Sequence, residues 1–291
     1  MWKTAIVKVR STGLFCKMIK ISIITATLNS ASTLRDTFDS ILRQNYTNYE
    51  LIVKDGGSTD ATLEICQEYE TRFKGRMRVI SDKDTGIYDA MNKGISAASG
   101  DIVGLLNSDD FFTADDILHT VVENFNQHPD IDALYADIHY VKDSDITRTT
   151  RYYSSRLFRR SWMRMGFMPA HPSFYCRKTT YEKFKLGELS QCDALGNPYK
   201  IFFNPSYKVA GDFENLLRMI FNGRIKTHYI SRDFVTMRTS GASSSGLISH
   251  KNIHREQLRA FKENGVYSNH FLIMLRYVYK IAEKSWSKIR L

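Results

Sequence analysis

The sequence predicts an α/β protein with a mainly parallel central sheet flanked by helices, and three observations carry that reading. Apolar runs of strand length alternate with amphipathic runs of helix length over residues 18–141. The connections between them are short and rich in Gly, Asp, Asn and Ser. One stretch, "DIVGLLNSDDFF" (101–112), is continuously apolar until two adjacent carboxylates, as a strand covered on both faces would be.

Each element follows from its own pattern. "KISIITATLN" (20–29) is the first expected strand. "STLRDTFDSILRQ" is a helix with Leu34, Phe38, Ile41 and Leu42 on one stripe and Ser32 or Thr33 as its cap. "YELIVKD" (49–55) is the second strand. A glycine turn then enters a helix over 60–73, and "RMRVISD" (76–82) is the third strand. "YDAMNKGISAASG" is a short helix closed by Gly100, ahead of the apolar strand. A helix through "DDILHTVVENFNQH" stops at Pro129, and "DALYADIHYV" is the next strand. Beyond about residue 145 the rhythm loosens into a basic and aromatic stretch containing Pro169 and Pro172. "AGDFENLLRMIFNG" is a helix stopped by Gly223, "RIKTHYI" a strand, and "RTSGASSSGLISH" a glycine-serine loop. Two basic helices, about 250–264 and 269–289, finish the chain.

Composition narrows the function. With 43% hydrophobic and 25% charged residues, the chain is an ordinary globular protein rather than a disordered one. Residues 1–145 hold 15 Lys+Arg against 22 Asp+Glu, whereas 146–291 hold 26 against 9. The acidic front suits a metal or hydroxyl-bearing ligand, and the basic rear suits phosphates or an anionic membrane surface. An acidic rim repels a nucleic-acid backbone, so no nucleic-acid partner is expected. Cys16, Cys66, Cys176 and Cys192 are widely spaced, which argues against a zinc site or disulfide framework and fits a reducing cytosol. No apolar run reaches the roughly 18 residues of a membrane-spanning helix. The basic N-terminus lacks the apolar core of a signal peptide, so residues 1–17 read as a poorly ordered leader or the product of an upstream start codon. The expected location is the cytoplasm, or the inner face of the cell membrane through the C-terminal helices.

In open α/β sheets, ligands bind beyond the carboxyl ends of the strands. Four polar clusters fall there: Thr25 to Thr27, "DGGSTD" (55–60), Asp82 to Asp84, and "NSDD" (107–110). Singly, each reads as a capped turn; four on one rim point to a ligand site. Neither GxGxxG after the first strand nor GxxxxGK[ST] is present, so phosphates need another device. Asp109 and Asp110 would repel each other unless a cation joined them, and Mg²⁺ or Mn²⁺ completes its shell with water and phosphate oxygens. The alternative is that Asp110 caps the next helix and Asp109 is solvated.

These stretches, with "DTGIYDAMNKGISAASGDIVGLLNSDD", resemble the family 2 glycosyltransferases, inverting enzymes of the GT-A nucleotide-diphospho-sugar transferase fold. The likeness covers roughly residues 18–141, thins over 142–240 and ends there. It implies a GT-A catalytic domain over 18–245, with a nucleotide-sugar half to 141 and an acceptor half after it, and leaves 246–291 as a basic helical extension. It implies that Thr25 and Asp55 contact base and ribose, with Thr27, Asp82 and Asp84 beside them. "NSDD" stands in for the DxD-type metal motif. Asn107 replaces its leading Asp, which leaves Asn107 to a sugar or ribose hydroxyl and the metal to Asp109 and Asp110. Many members carry Arg where Met91 stands, and Lys93 is the substitute phosphate contact.

The likeness also makes Asp212 the base that takes the acceptor hydroxyl proton. Read from the residues alone, Asp212 caps the helix bearing Phe213, Leu216, Leu217 and Ile220, and Glu214 is the next candidate base. His171, between two prolines, is either an acceptor-side residue or structural. Arg238 is either a cationic clamp on the diphosphate or part of a surface loop. The whole reads as sugar transfer from a nucleotide diphosphate to a glycan or lipid-linked acceptor, of the bacterial surface-polysaccharide type. A sugar nucleotidylyltransferase is the rival, but "TATLNSAST" lacks the Gly and Arg of its phosphate loop. A non-catalytic nucleotide-sugar binder is the other, and the intact Asp109, Asp110 and Asp212 argue against it.

Overall fold

The computed structural model describes residues 18–187, 191–193, 196–239 and 246–276. The expected leader, most of the glycine-serine loop and the tail from residue 277 lie outside the described residues.

Four parallel strands form the front of the sheet: β1 (Ile21–Thr27), β2 (Tyr49–Asp55), β3 (Met77–Ser81) and β4 (Ile102–Leu105). They are joined by α1 (Leu34–Leu42), α2 (Thr62–Phe73) and α3 (Ile87–Ala97). The rear adds β5 (Phe111–Phe112), α4 (Ile117–Gln127), β6 (Ala133–Lys142), β7 (Asp145–Tyr153), β8 (Tyr175–Arg177) and α5 (Lys178–Lys183). A two-residue hairpin, β9 (Gln191–Cys192) with β10 (Pro198–Tyr199), precedes α6 (Gly211–Leu216), β11 (Thr227–Arg238) and α7 (Gly246–Glu263). The sheet runs β3-β2-β1-β4-β8-β6-β11-β5, with β7 on β6. It is mostly parallel, with β5, β7 and β8 antiparallel to their neighbours.

Alternation along β1 divides the core between the two faces. Ile21 and Ile23 pack with Phe38, Phe73 and Val121 of α1, α2 and α4. Ile24 and Ala26 pack with Tyr88, Phe213 and Phe261 of α3, α6 and α7. The basic helix α7 is therefore part of this second core, with Ala260 fully buried. Met91 also lies in it, 3% exposed.

Three sequence expectations change. "TRTTRYY" forms a strand, β7, on the sheet margin; its side chains are almost all exposed, so no apolar alternation announces it. The strand expected over 224–230 extends to Arg238, which is thus a strand end rather than a loop residue. Gly223 ends the π-helical turn Leu217–Asn222 in a right-handed conformation, and its glycine is needed because a Cβ would meet the Phe184 ring at 2.3 Å.

Candidate active site

The "NSDD" turn is held by hydroxyls of α1. Thr33 Oγ1 donates to Ser108 O at 2.8 Å, Thr37 Oγ1 to Asp110 O at 2.7 Å, and Phe112 N donates to Ser40 Oγ at 3.1 Å. Spacing i, i+4, i+7 puts all three on one helix face, beside the apolar stripe. Thr33 thus serves the turn and does not cap α1 with its side chain.

Asp110 is 1% exposed, and neither carboxylate oxygen meets a hydrogen-bond donor. Burial, then the Asp109 charge, pushes its carboxyl well above the usual range; the Arg238 backbone and Asn107 only partly offset this. Burial also raises Asp109, with Asp143 adding and Arg238 and His171 opposing. Asp110 does not cap α4, whose cap position is Asp116. Two adjacent carboxylates short of positive charge fit a divalent cation. Among the described residues no third His, Cys, Asp or Glu completes a metal cluster. The rest of such a shell would come from water and diphosphate oxygens.

Along β1, Thr25 and Thr27 are buried on one face and both hydroxyls lack a partner. Asp55, fully buried, accepts from Gly57 N (3.0 Å), Ser58 N (3.1 Å), Ser58 Oγ (2.5 Å) and Ser81 Oγ (2.7 Å). Burial alone would raise its carboxyl; those donors outweigh it and hold it low. Asp55 thus fixes the 56–58 backbone, with Gly57 at φ +91° where a side chain is disfavoured.

Sequence reasoning missed Lys54, which is completely buried. Its ammonium donates to Asp82 O at 2.6 Å and lies 3.1 Å from Asp82 Oδ1 and 3.3 Å from Asp84 Oδ2, tying the ends of β2 and β3 together. Lys93 is 2.6 Å from Asp82 Oδ2, so the structure pairs it with a carboxylate of the same rim. Burial raises Asp82, but Lys93 and Lys54 outweigh it and leave its carboxyl low. Asp84 stays raised by burial.

On the acceptor side, His171 Nδ1 lies 3.2 Å from Asp212 Oδ2. Two residues fix the histidine's turn: Pro172 limits its backbone, and Ser173 Oγ donates to Ala136 O at 2.8 Å. Asp212 Oδ1 accepts from Phe213 N at 2.8 Å and from Tyr88 Oη at 3.4 Å. Burial, then the Asp212 charge, drives the Tyr88 hydroxyl far up, which keeps it a donor. Gly211 lets Tyr88 approach, since a Cβ there would lie 2.7 Å from the ring. The chain ahead of Asp212 is pinned by Glu256 of α7, which accepts from Lys208 N, Val209 N and Ala210 N at 2.9 Å each. The cap position of α6 is Ala210, so Asp212 is not the N-cap. Glu256 and Tyr88 were invisible in sequence, because only tertiary contacts bring them here.

Glu214, 3% exposed, pairs with Arg218 at 3.1 Å and accepts from Asn264 at 3.2 Å, and is not brought to His171 or the strand-end acids. Arg238 pairs with Asp36 and lies 3.4 Å from Asp143, with its guanidinium over the Phe111 ring. Tyr140 is raised by burial, lowered by Arg151, and raised by both Asp110 and Asp212. Asp110 and Asp212 are thus both within electrostatic reach of Tyr140, as His171 is of Asp109.

The family model "Glycosyl transferase family 2" matches residues 22–184. A "PGL/p-HBAD biosynthesis glycosyltransferase" of Mycobacterium bovis (strain BCG / Pasteur 1173P2) is 28% identical over 234 residues, 80% of this chain and 82% of that protein. Among solved structures, S. aureus TarS superposes with a TM-score of 0.58 at 19% identity, over 82% of this chain and 39% of that one. The mannosyltransferase PcManGT from Pyrobaculum calidifontis, in complex with GDP-Man and Mn2+, gives 0.55 at 14% identity over 92% and 83%. The structural likenesses establish a GT-A-like fold, and the sequence match establishes the family: the chain belongs to glycosyl transferase family 2, and is a glycosyltransferase.

Proposed function

We propose that this protein is an inverting, metal-dependent transferase that moves a sugar from a nucleoside diphosphate to a hydroxyl of a glycan or lipid-linked acceptor in surface-polysaccharide synthesis. The observation that carries it is the presence of two unlike acid sites, one after β4 and one in the first turn of α6. Asp110, buried beside Asp109, has no hydrogen-bond partner for either carboxylate oxygen, whereas Asp212 is oriented by His171 and Tyr88. The neighbours support the donor class: solved relatives hold UDP-GlcNAc, GDP-Man with Mn2+, and UDP with Mn2+ or Mg2+.

In this reading the free hydroxyls of Thr25 and Thr27, on β1 beside the loop that Asp55 organises, face the nucleoside. Asn107 sits beside the metal ligands Asp109 and Asp110. A bound Mn²⁺ or Mg²⁺ supplies positive charge to the departing diphosphate. Asp212 accepts the acceptor's hydroxyl proton as that oxygen attacks the anomeric carbon. The bond to the diphosphate breaks on the opposite face, its electron pair leaves with the diphosphate, and the configuration inverts. Arg238, at the end of β11, adds positive charge beside Asp109.

Among the described residues no helix is long and apolar enough to cross a membrane. Exposed Tyr267, Phe271 and Met274 support a cytoplasmic enzyme held at the membrane surface by its C-terminal helices. The test is a panel of nucleotide sugars scored for nucleoside diphosphate release with Mn²⁺ and with EDTA. Release with one donor that stops in EDTA supports the reading; release indifferent to EDTA contradicts the metal.

A further inference from the structure

A cavity of about 600 Å³, lined by Arg159, Arg160, Ser161, Arg164, Phe221 and Arg224, lies on the basic half of the chain, outside the site described above. It opens between the 3-10 turn Arg160–Met165 and the π-helical turn Leu217–Asn222. Its four arginines are exposed. Among the described residues, none of them lies on a carboxylate or donates a side-chain hydrogen bond. By contrast, Arg35, Arg43, Arg72, Arg218, Arg232, Arg238 and Arg259 are each neutralised by an Asp or Glu. Four like charges around one hollow repel each other, and among the described residues no acid pairs with them.

The walls are nonetheless held in place. Ser268 Oγ donates to Arg164 O at 2.6 Å, and Arg276 Nη1 donates to Gly166 O at 2.8 Å, so the segment after α7 fixes the first turn. The Arg164 guanidinium lies 5.5 Å from the centre of the Phe221 ring, which orients it. Arg224 takes a left-handed conformation, φ +50°, which a residue with a Cβ seldom adopts.

We propose that this cavity binds the phosphate or diphosphate group of a phosphorylated ligand. Guanidinium forks match phosphate oxygens in pairs, and several around one pocket favour a multiply charged anion over a carboxylate. The hollow is larger than one phosphate and takes a diphosphate with the first groups attached to it. Phe221 follows Asp212 by nine residues along one helical run, a span of ~14 Å at the helical rise per residue. If the proposed function holds, a phosphate-bearing acceptor anchored here reaches Asp212 across that distance; binding itself does not depend on that reading.

The probe is pyrophosphate, titrated by calorimetry in EDTA, where the Asp109–Asp110 pair repels it. Wild type and Arg148→Ala, an exposed arginine of β7 outside the cavity, should bind one equivalent saturably. Arg164→Ala combined with Arg224→Ala should weaken binding by about 10-fold or more, as loss of charge-assisted hydrogen bonds does. No saturable binding by wild type, or equal weakening in Arg148→Ala, overturns the site. Flotation with phosphatidylglycerol against phosphatidylcholine vesicles then locates the phosphate. Loss of phosphatidylglycerol retention in the double variant places it on a lipid; unchanged retention with lost pyrophosphate binding places it on a soluble ligand. Neither measurement needs a sugar donor, so a failure here leaves the transferase reading standing, and an inactive protein that still binds pyrophosphate contradicts that reading alone.

Discussion

His171 Nδ1 stands 3.2 Å from Asp212 Oδ2, and this contact joins two residues that sequence reasoning had placed in separate roles. The Tyr88 hydroxyl holds the other carboxylate oxygen, so the proposed base is oriented before an acceptor arrives. His171→Ala should lower kcat by ~10–100-fold, as misplacement of a reacting group does, with donor KM and melting temperature little changed. His171→Asn, whose amide still donates, should recover part of the rate. Steady-state kinetics check both, and equal loss in kcat and melting temperature would make His171 merely structural.

Asp110 carries a stability cost in the metal-free protein. Its folded pKa lies above its unfolded value, so protonation stabilises the fold. That stability is present below the ordinary carboxylate range and is lost as pH rises through the folded value. Without divalent cation the protein should therefore melt higher at mildly acidic pH than at neutral pH, before general acid unfolding sets in. Asp110→Asn, which removes the buried charge next to Asp109, should stabilise the metal-free protein at pH 7. It should also abolish the rise in melting temperature that Mn²⁺ gives wild type.

Gly211→Ala should disturb catalysis through Tyr88. The added Cβ would lie 2.7 Å from the ring, and the ring is fixed by the core around it. Overpacking of this kind costs about 1–3 kcal/mol. The expected signature is a modest loss of melting temperature with a larger loss of kcat, since the displaced group touches Asp212. A rate within two-fold of wild type would separate Tyr88 from the mechanism.

The outer face of the C-terminal segment tests membrane attachment. Phe271 and Met274 are 71% and 53% exposed, while Ile273 between them is buried, so only the first two are free to meet lipid. Phe271→Glu with Met274→Glu should reduce retention by anionic liposomes without changing the melt. Equal retention would remove this face from the argument.

The front of the sheet and the strand-end acids were legible because local pattern and burial agree there. The apolar run into Asp109 and Asp110 could only be a covered strand ending in charge, and the structure places it so. Asp212 and His171 were recognised separately, but their contact joins segments far apart in the chain, and no local pattern encodes it. Lys54 is a single charge near a strand end in the sequence, yet it is completely buried against Asp82 and Asp84. Glu256 reads as one charge on a basic helix, yet it caps three backbone amides before α6. β7 escaped notice because an exposed sheet margin has no buried face to leave a period in its sequence.

The central claim is that Asp212 is the base, and Asp212→Asn tests it most directly. The amide keeps the size of the side chain and its contact with Phe213 N but cannot take a proton at neutral pH. Donor and Mn²⁺ binding, followed by calorimetry, should match wild type, and the melting temperature should stay within a few degrees. Transfer at saturating donor should fall by ~10²–10⁴-fold, the usual cost of losing a general base. Turnover within a few-fold of wild type, in a protein that binds donor normally, would contradict the account and place the base elsewhere.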